Sequence, residues 1–169
     1  AAMHDFGKAN AGFQARWDAR APFIGHCRQA LAALRDRSLC GAVAEVLPLR
    51  EIGEWGAGDD GLLVAIGHHG RPLDATASSF EDRATWRVSG GYDPIAALAP
   101  LGAAAREWYP DAFSSGGELL PEQPAFWHAI SGYLTFADWL GSDEMFFPFA
   151  DGRAANRMTW ARSRARDAL

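Results

Sequence analysis

Hydrophobic residues recur every three to four positions in several stretches of the chain, and this period predicts amphipathic helices. One predicted helix covers residues 12–20 and ends before Pro22, because proline cannot continue a helix. A second covers 24–37 and a third covers 124–141. The apolar face of the second helix is formed by Cys27, Leu31 and Leu34. That of the third is formed by Phe126, Ile130, Tyr133, Leu134, Ala137 and Leu140.

The stretches between these helices carry a weaker pattern. Residues 47–60 are interrupted by glycines, and the apolar run at 61–67 fits either a short buried helix or a strand. Residues 73–120 mix short helical runs, such as 94–108, with Ser, Gly, Pro and Asp, so we expect an insertion of short helices and loops there. Because no stretch alternates apolar and polar residues with a period of two, the sequence predicts an all-α fold.

The composition fits one globular domain. Of 169 residues, 49% are hydrophobic and 22% are charged, and this length suits one core rather than two ordinary domains. The formal net charge of -5 argues against nucleic-acid binding through a broad basic surface, but it leaves a local basic strip open. The end of the chain is basic, and a solvated helix face is the better interpretation of it. Its cations are Arg153, Arg157, Arg162, Arg164 and Arg166.

The two cysteines, Cys27 and Cys40, match neither a zinc knuckle nor a redox pair in their spacing, so both are predicted to be reduced core thiols. The longest apolar run, Leu62–Ile66, is much shorter than the ~18–20 residues of a membrane span, and no signal-peptide pattern opens the chain. We therefore expect a cytoplasmic protein with no membrane partner. Because the chain lacks an initial methionine and His4 follows almost at once, we also expect a piece of a longer polypeptide.

The dipeptide His4-Asp5 is the first candidate for chemistry. A carboxylate can bridge two metal ions through its two oxygens, whereas an imidazole binds one, so Asp5 is the natural bridge of a dinuclear site. Lys8 stands four residues after His4 and would share its helix face, where it could stabilise a phosphoryl group. From the residues alone, an exposed surface lysine is an equally good interpretation. A single His-Asp pair is weak evidence, because such dipeptides are common by chance.

Further histidines and an acid strengthen the metal interpretation. His26 and the pair His68-His69 offer nitrogen ligands suited to manganese, iron, cobalt, nickel or zinc, and mixing imidazole with carboxylate disfavours a site for calcium alone. Both members of the pair could reach one centre only at a helix end or kink, which the flanking glycines permit. Asp138 lies within the apolar third helix, and a buried charge requires a partner. His128 has no place in this set and is predicted to be a core or surface histidine.

The order of these motifs resembles that of a known family. Residues 4–8 (HDFGK) and 13–14 (FQ) resemble the HDxGK…FQ signature of the HD nuclease domain in the CRISPR-associated helicase-nuclease of type I systems, within the HD phosphohydrolase superfamily. Later motifs of that family have counterparts in the same order at His26, 68–70 (HHG), 137–142 (ADWLGS) and 147–148 (FP). The resemblance spans 3–149 and is absent from 73–120. It implies an all-α HD-domain helical bundle with a metal centre between helices.

The resemblance also implies the ligands. One metal ion would be held by Asp5, His26, His68 and His69, and the other by His4, Asp5 and Asp138. The ions would be one or two divalent transition metals, namely manganese, iron, nickel or cobalt, with magnesium as a further option. The family uses an additional histidine on a helix upstream of the HD pair, whereas here only three residues precede His4. We therefore expect the domain to be N-terminally incomplete, with its first helix missing.

The activity implied by the resemblance is that of a metal-dependent, DNA-binding nuclease. It would degrade or nick single-stranded DNA, as an endonuclease or exonuclease, in the antiviral interference step of a CRISPR system. Asp5 and Lys8 would be the catalytic residues. The implied partners are a helicase domain in cis or trans and the CRISPR RNA-guided surveillance complex. Residues 1–150 would form the nuclease domain, and the basic segment 151–169 would connect toward the helicase.

Two other functions remain open at this point. The first is an HD phosphohydrolase of small nucleotides or cyclic nucleotides, but His69 is followed by Gly-Arg-Pro, whereas signalling phosphodiesterases of the superfamily carry a glutamate there and a Gly-Tyr-Pro run soon after. The second is a degenerate HD module with a binding role. The retention of six candidate ligands argues against degeneracy, and the missing upstream histidine argues for it.

Overall fold

The computed structural model describes residues 3–70, 73–74, 79–114, 117–148 and 156–169. Across these ranges the chain forms α-helices joined by short loops and 3-10 turns, and no strand occurs within them. The predicted all-α fold is therefore confirmed. The helices are α1 (Ala11–Gln14), α2 (Cys27–Arg35), α3 (Arg37–Val46), α4 (Leu49–Glu54), α5 (Gly58–Ile66), α6 (Phe80–Ala84), α7 (Ala99–Trp108), α8 (Pro124–Ser142) and α9 (Arg157–Ala168).

The first two predicted helices are present but shorter than the sequence pattern indicates. The helix expected at 12–20 is α1 followed by a 3-10 turn, Ala15–Trp17. The helix expected at 24–37 is α2, which ends because Asp36 adopts an extended backbone conformation and becomes the N-cap of α3. Its carboxylate accepts hydrogen bonds from the backbone N–H groups of Ser38 and Leu39, both at 3.0 Å.

The middle of the chain follows the pattern in outline. The sequence pattern at 61–67 fitted either a helix or a strand, and in the structure this run forms the end of helix α5 and its C-cap, Gly67. The stretch 73–120 does consist of short elements, among them α6 and α7. Arg71 and Pro72, which follow the histidine pair, lie outside the described residues.

Helix α8 confirms the third predicted helix but not its predicted buried face. Tyr133 is 72% exposed and Ala137 is also exposed, whereas the buried residues of this helix are Trp127 and Leu134. The helix packs against α5 along one side, so only one narrow line of side chains turns inward. That line continues to the partly buried Asp138, which is about three helical turns beyond Trp127 and about one beyond Leu134 on the same side.

The core is centred on α2. Ala30 and Ala33 have no exposed surface, and their small side chains let neighbouring segments approach this helix closely. The cluster around them also contains Phe6, Val43, Leu47, Ile66, Trp86 and Leu98. Since these residues come from loops and helices throughout the first hundred positions, α2 is the element to which the rest of the domain attaches.

A polar network fixes α6 to α2. Asp82 accepts hydrogen bonds from Gln29 Nε2 at 2.8 Å and from Arg28 Nη2 at 3.0 Å, and it forms a capping box with Ser79. Burial opposes ionisation of Asp82, but the hydrogen bonds from Ser79 and the nearby Arg28 outweigh it and hold the pKa of this carboxyl below its usual value. The network therefore stabilises the packing of α6 while Asp82 is ionised.

The basic C-terminal segment contacts the loop that follows α8. Arg164 donates hydrogen bonds from Nε to Phe146 O at 2.7 Å and from Nη2 to Met145 O at 3.1 Å. The ring of Trp160 lies edge-on to that of Phe147, with 6.1 Å between centroids. Arg153 lies outside the described residues.

Among the helices in the described ranges, none is long and apolar enough to cross a lipid bilayer.

Candidate metal centre

The HD dipeptide lies in a turn rather than on a helix. His4 and Asp5 immediately precede a 3-10 helix, Phe6–Ala9, which packs against α2. At Gly7 the two backbones approach so closely that a Cβ atom would lie 2.2 Å from the carbonyl oxygen of His26. Glycine is required at this position, because any side chain would push the dipeptide away from His26.

Asn10 holds this arrangement in place. Its side chain is fully buried, and Nδ2 donates to Gly7 O at 2.8 Å and to Gly25 O at 2.9 Å. Its Oδ1 accepts a hydrogen bond from Phe13 N at 2.8 Å and so caps α1. A single buried amide therefore ties the HD turn to the residue that precedes His26.

His26 is the N-cap residue of α2, with a non-helical backbone at φ -132°. Its Nε2 atom lies 3.1 Å from Asp5 Oδ1. His26 thus approaches Asp5 from the start of the central helix.

The histidine pair follows the end of α5, in a turn that finishes at Gly70 with φ +70°. His68 is fully buried, and its Nδ1 is 2.9 Å from Ala65 O. Because a carbonyl oxygen only accepts, Nδ1 carries the proton, and Nε2 is left as the acceptor 3.4 Å from Asp5 Oδ1. His69 Nε2 lies 3.1 Å from His26 Nε2. His68 thus approaches Asp5, and His69 approaches His26.

Asp138 and Lys8 complete the group. Asp138 Oδ1 lies 3.3 Å from His4 Nε2, and Asp138 Oδ2 lies 4.0 Å from His69 Nδ1. Lys8 Nζ lies 2.5 Å from Asp5 Oδ2. Lys8 and His4 were expected on one helix face, whereas here both contact Asp5 from a turn and a 3-10 helix, with His4 Nε2 3.4 Å from Asp5 Oδ2.

The ionisable groups of the centre differ in the direction in which their pKa values are shifted. Burial opposes ionisation of Asp5, but hydrogen bonds from His26 and Lys8 and the charge of His4 hold the pKa of this carboxyl well below its usual range. Burial also opposes protonation of His26, yet its contacts with Asp5 and Cys27 raise the pKa of this imidazole to about 9. Burial lowers the pKa of His68. In the metal-free protein at neutral pH, Asp5 and His26 are therefore charged and His68 is neutral.

The donors fit a divalent transition metal. Among the described residues, two groups have ligand atoms within 4.8 Å of one another: His4, Asp5, His68 and Asp138 form one, and His26, Cys27 and His69 form the other. His68 Nε2 is buried without a hydrogen-bond partner in the described part of the chain, and it faces the buried Oδ1 atom of Asp5 at 3.4 Å. Because an unpartnered buried polar atom is costly, a cation between these two atoms would satisfy the nitrogen, and imidazole with carboxylate suits manganese, iron, cobalt or nickel.

Sequence reasoning missed two residues here. Cys27, expected to be a core thiol, packs partly against the core but also belongs to the second group of donors. Its only signal in the sequence was its position directly after His26. Asn10 carried no chemical signal, because its role is to position backbone segments. His128 is exposed on α8 and belongs to neither donor group.

Two open clefts adjoin the centre. A cleft of about 390 Å³ is lined by Asp5, Lys8, Gln14, Tyr92 and Leu101, among others. A larger one of about 510 Å³ lies between α5 and α8, beside the histidine pair, and His128 lines it. Of these two clefts, the smaller one is lined by predicted site residues, Asp5 and Lys8.

In this all-helical chain a His-Asp dipeptide meets histidines and an aspartate from other parts of the fold. This arrangement is typical of the class of HD domains. A family model described as "Cas3, HD domain" matches residues 1–147. The chain therefore belongs to the Cas3 HD domain family, and the resemblance noted in the sequence is confirmed.

The chain is also similar to part of a longer, curated protein. The chain is 29% identical over 181 residues to the "CRISPR-associated endonuclease/helicase Cas3" of Thermus thermophilus, an alignment that covers 99% of this chain and 18% of that protein. The chain thus spans less than a fifth of the length of this relative. No solved structure matches the chain significantly.

Proposed function

We propose that this domain is a metal-dependent phosphodiester hydrolase that cuts single-stranded DNA during CRISPR interference. The observation that carries the proposal is the convergence of two imidazoles, those of His26 and the unpartnered His68 Nε2, on the buried Oδ1 atom of Asp5. Membership of the Cas3 HD domain family and the name of the Thermus thermophilus relative support the reaction class and the CRISPR context.

We assign the proposed ligands to two metal ions according to which oxygen of Asp5 they face. Oδ1 faces His26 at 3.1 Å and His68 at 3.4 Å, which supports one metal ion held by Asp5, His26, His68 and His69. Oδ2 faces His4 at 3.4 Å, and His4 faces Asp138 at 3.3 Å, which supports another ion held by His4, Asp5 and Asp138. Manganese, iron, nickel or cobalt suits these donors best.

The chemistry would divide between the metal ions and the chain. When bound, the ions supply Lewis acidity toward the phosphoryl oxygens and an activated water for attack on phosphorus. Asp5 positions the ions, and the hydrogen bond from His68 to Ala65 O fixes the ring that completes the site. Lys8, which is held at the edge of the cleft by Asp5, donates hydrogen bonds to the phosphoryl group as negative charge develops on it.

Exposed aromatic residues favour a single-stranded polymer as substrate. Trp17 is 82% exposed, with the Arg16 guanidinium 4.9 Å from its ring centroid, and it follows α1, whose Gln14 lines the smaller cleft. Trp139 is exposed next to Asp138. Exposed rings offer stacking surfaces for unpaired bases, and the Arg16 cation at Trp17 adds to this without a broad basic surface, which suits a net charge of -5.

The proposed setting is that of the longer relative. That protein is named as both an endonuclease and a helicase, so we propose that this domain works with a helicase, in cis or in trans, in the cytoplasm. The helicase would deliver a displaced strand from a target opened by the RNA-guided surveillance complex. The C-terminal segment would lead toward the helicase.

The test is a cleavage assay on the purified chain with manganese or cobalt. We expect it to cut labelled single-stranded DNA faster than duplex DNA, and we expect Asp5→Asn to be inactive while His128→Gln, a change outside the centre, remains active. A parallel panel of nucleotides and cyclic nucleotides separates the alternatives. Hydrolysis of the panel without DNA cleavage would favour the small-molecule phosphohydrolase, and metal binding without hydrolysis of either would favour a degenerate module.

A further inference from the structure

Cys27 is placed beside two of the proposed metal ligands. It is the first residue of α2 and follows His26 directly. Its Sγ atom and one nitrogen from each of His26 and His69 lie within 4.8 Å of one another. The two imidazoles face each other, with 3.1 Å between their Nε2 atoms. Three donors of different residues thus border one small volume.

The imidazole of His68 lies next to those of His26 and His69. The side chain of His68 is fully buried, and its Nε2 atom has no hydrogen-bond partner among the described residues. The His68 ring centroid lies 4.1 Å from that of His69 and 5.7 Å from that of His26. His68 Nε2 faces Asp5 Oδ1 at 3.4 Å, and His26 Nε2 lies 3.1 Å from the same oxygen. An unpartnered buried nitrogen at this place indicates a ligand rather than ordinary packing.

We propose that the Cys27 thiolate is a ligand of the metal ion held by His26 and His69. The inference rests on the proposed metal centre and adds to it a donor of a different chemical kind. Donor atoms of one metal ion stand about 3–4 Å apart when its bonds are about 2.0–2.3 Å long. The donor atoms of His26, Cys27 and His69 lie within 4.8 Å of one another, close to that separation. On binding, the thiol loses its proton to solvent and the sulfur forms the bond to the metal.

The other cysteine provides a contrast within the same chain. Cys40 lies on α3, is partly buried like Cys27, and belongs to neither group of metal-capable donors among the described residues. The two thiols therefore differ in their neighbours rather than in their exposure. This makes Cys40 a matched control for Cys27.

A sulfur ligand would change which metals the domain prefers. Thiolate is a soft donor and favours cobalt, nickel, zinc and iron over magnesium and manganese. The proposed ligands of the other ion, His4, Asp5 and Asp138, include two carboxylates and no sulfur. The two positions of a dinuclear centre would then differ in softness, and the softer position would bind cobalt or zinc first.

Absorption spectroscopy of the cobalt-loaded chain tests the proposal without using activity. Thiolate ligation gives a sulfur-to-cobalt charge-transfer band in the near ultraviolet, whereas nitrogen and oxygen ligands give only the weak visible bands of the ion. We expect the band in the original chain and in Cys40→Ser, and its loss in Cys27→Ser with the visible bands retained. Cobalt that binds the original chain without a charge-transfer band overturns the proposal, as does an equal band in Cys27→Ser.

X-ray absorption of the zinc-loaded original chain gives an answer even if Cys27→Ser fails to fold. A sulfur neighbour is expected at about 2.3 Å from zinc, and a shell containing only nitrogen and oxygen at about 2.0–2.2 Å rules it out. The two proposals also fail differently. If neither cobalt nor zinc binds, both the metal-dependent function and the role of Cys27 are wrong, whereas metal bound without sulfur leaves the function standing and removes only Cys27.

Discussion

At the scale of single residues, the two oxygens of Asp5 have separate sets of neighbours. Oδ1 faces His26 and His68, and Oδ2 faces His4 and Lys8. A carboxylate placed in this way can join two metal ions or, without them, balance the positive charge of the residues around it. The strongly lowered pKa of Asp5 follows from the second condition, since hydrogen bonds from His26 and Lys8 outweigh the opposing effect of burial.

Replacing Asp5 by Asn should remove metal binding as well as hydrolysis. The amide keeps the size of the side chain but loses the charge and one of the two anionic oxygens. We expect metal affinity to fall by about 100-fold or more. Loss of a residue that only hydrogen-bonds to a metal ligand already lowers affinity by about 10- to 100-fold, and loss of a ligand should cost at least as much. Isothermal titration with cobalt measures it, with His128→Gln as the control. Unchanged affinity in Asp5→Asn would remove Asp5 from the ligand set.

Metal affinity should rise with pH, because His26 must lose a proton to become a ligand. In the metal-free chain the pKa of His26 is raised to about 9, so its charge stabilises the fold fully below about pH 6.5 and this contribution is lost as the pH rises through 9. Cobalt affinity should therefore increase at least about tenfold per pH unit between about pH 7 and 9 and then level off.

Titrations in buffers of different ionisation enthalpy would count the protons released on cobalt binding. His26→Gln should release at least one proton fewer than the original chain. A pH-independent affinity in the original chain would contradict the assignment of His26.

At the scale of the secondary-structure elements, the position of the HD turn depends on one close backbone contact. The 3-10 helix Phe6–Ala9 lies against the start of α2 where Gly7 faces the carbonyl oxygen of His26. Asn10 then fastens both segments by donating to Gly7 O and Gly25 O. Because Asp5 and His26 belong to these two segments, their separation of 3.1 Å depends on how closely the segments pack.

Gly7→Ala should therefore weaken both stability and metal binding. The added Cβ would lie 2.2 Å from a backbone oxygen, which cannot rotate away, so the segments must separate. We expect a loss of about 1–3 kcal/mol or more in the free energy of unfolding, measured by urea denaturation without metal. Gly53→Ala in α4 is the matched control: nothing lies within 4 Å of its Cβ position, and a change between neutral and about 1 kcal/mol more stable is expected. Equal effects of the two substitutions would mean that the contact at Gly7 is not required.

At the scale of the whole molecule, the centre joins segments that are far apart in the sequence. His4 and Asp138 are separated by 134 positions, yet 3.3 Å separates their side-chain atoms. Asp138 reaches the centre because α8, which buries Trp127 and Leu134, packs on α5. A metal ion bound at this place would connect the N-terminal turn, α2, α5 and α8.

Metal binding should consequently stabilise the fold as a whole. At a concentration about 100 times its Kd, a ligand that binds only the folded state contributes about 2.7 kcal/mol, or roughly 5–11 °C in Tm for a domain of this size. Removing the metal with a chelator should reverse the shift, as followed by circular dichroism. Asp138→Asn should show a smaller shift than His128→Gln, which lies on the same helix. Equal shifts in both variants would indicate that α8 contributes no ligand.

The sequence by itself determined the helical class, the family and the kinds of side chain available for chemistry. These depend on local properties: a period of three to four residues reflects the geometry of a helix, and the order of motifs is read along the chain. The helix at 124–141 could be predicted in this way. Its inward face could not, because Tyr133 and Leu134 are equally apolar and only packing against α5 decides which of them is buried.

Only the tertiary structure decided which donors meet. Distances between side chains of separate helices depend on how closely the helices pack, and small residues such as Gly7 and Ala30 set that closeness without any chemical signal of their own. The same packing brought Cys27 beside His69, 42 positions further along the chain by the numbering. A local pattern cannot separate a core thiol from a metal ligand, because the difference lies in neighbours that only the folded chain supplies.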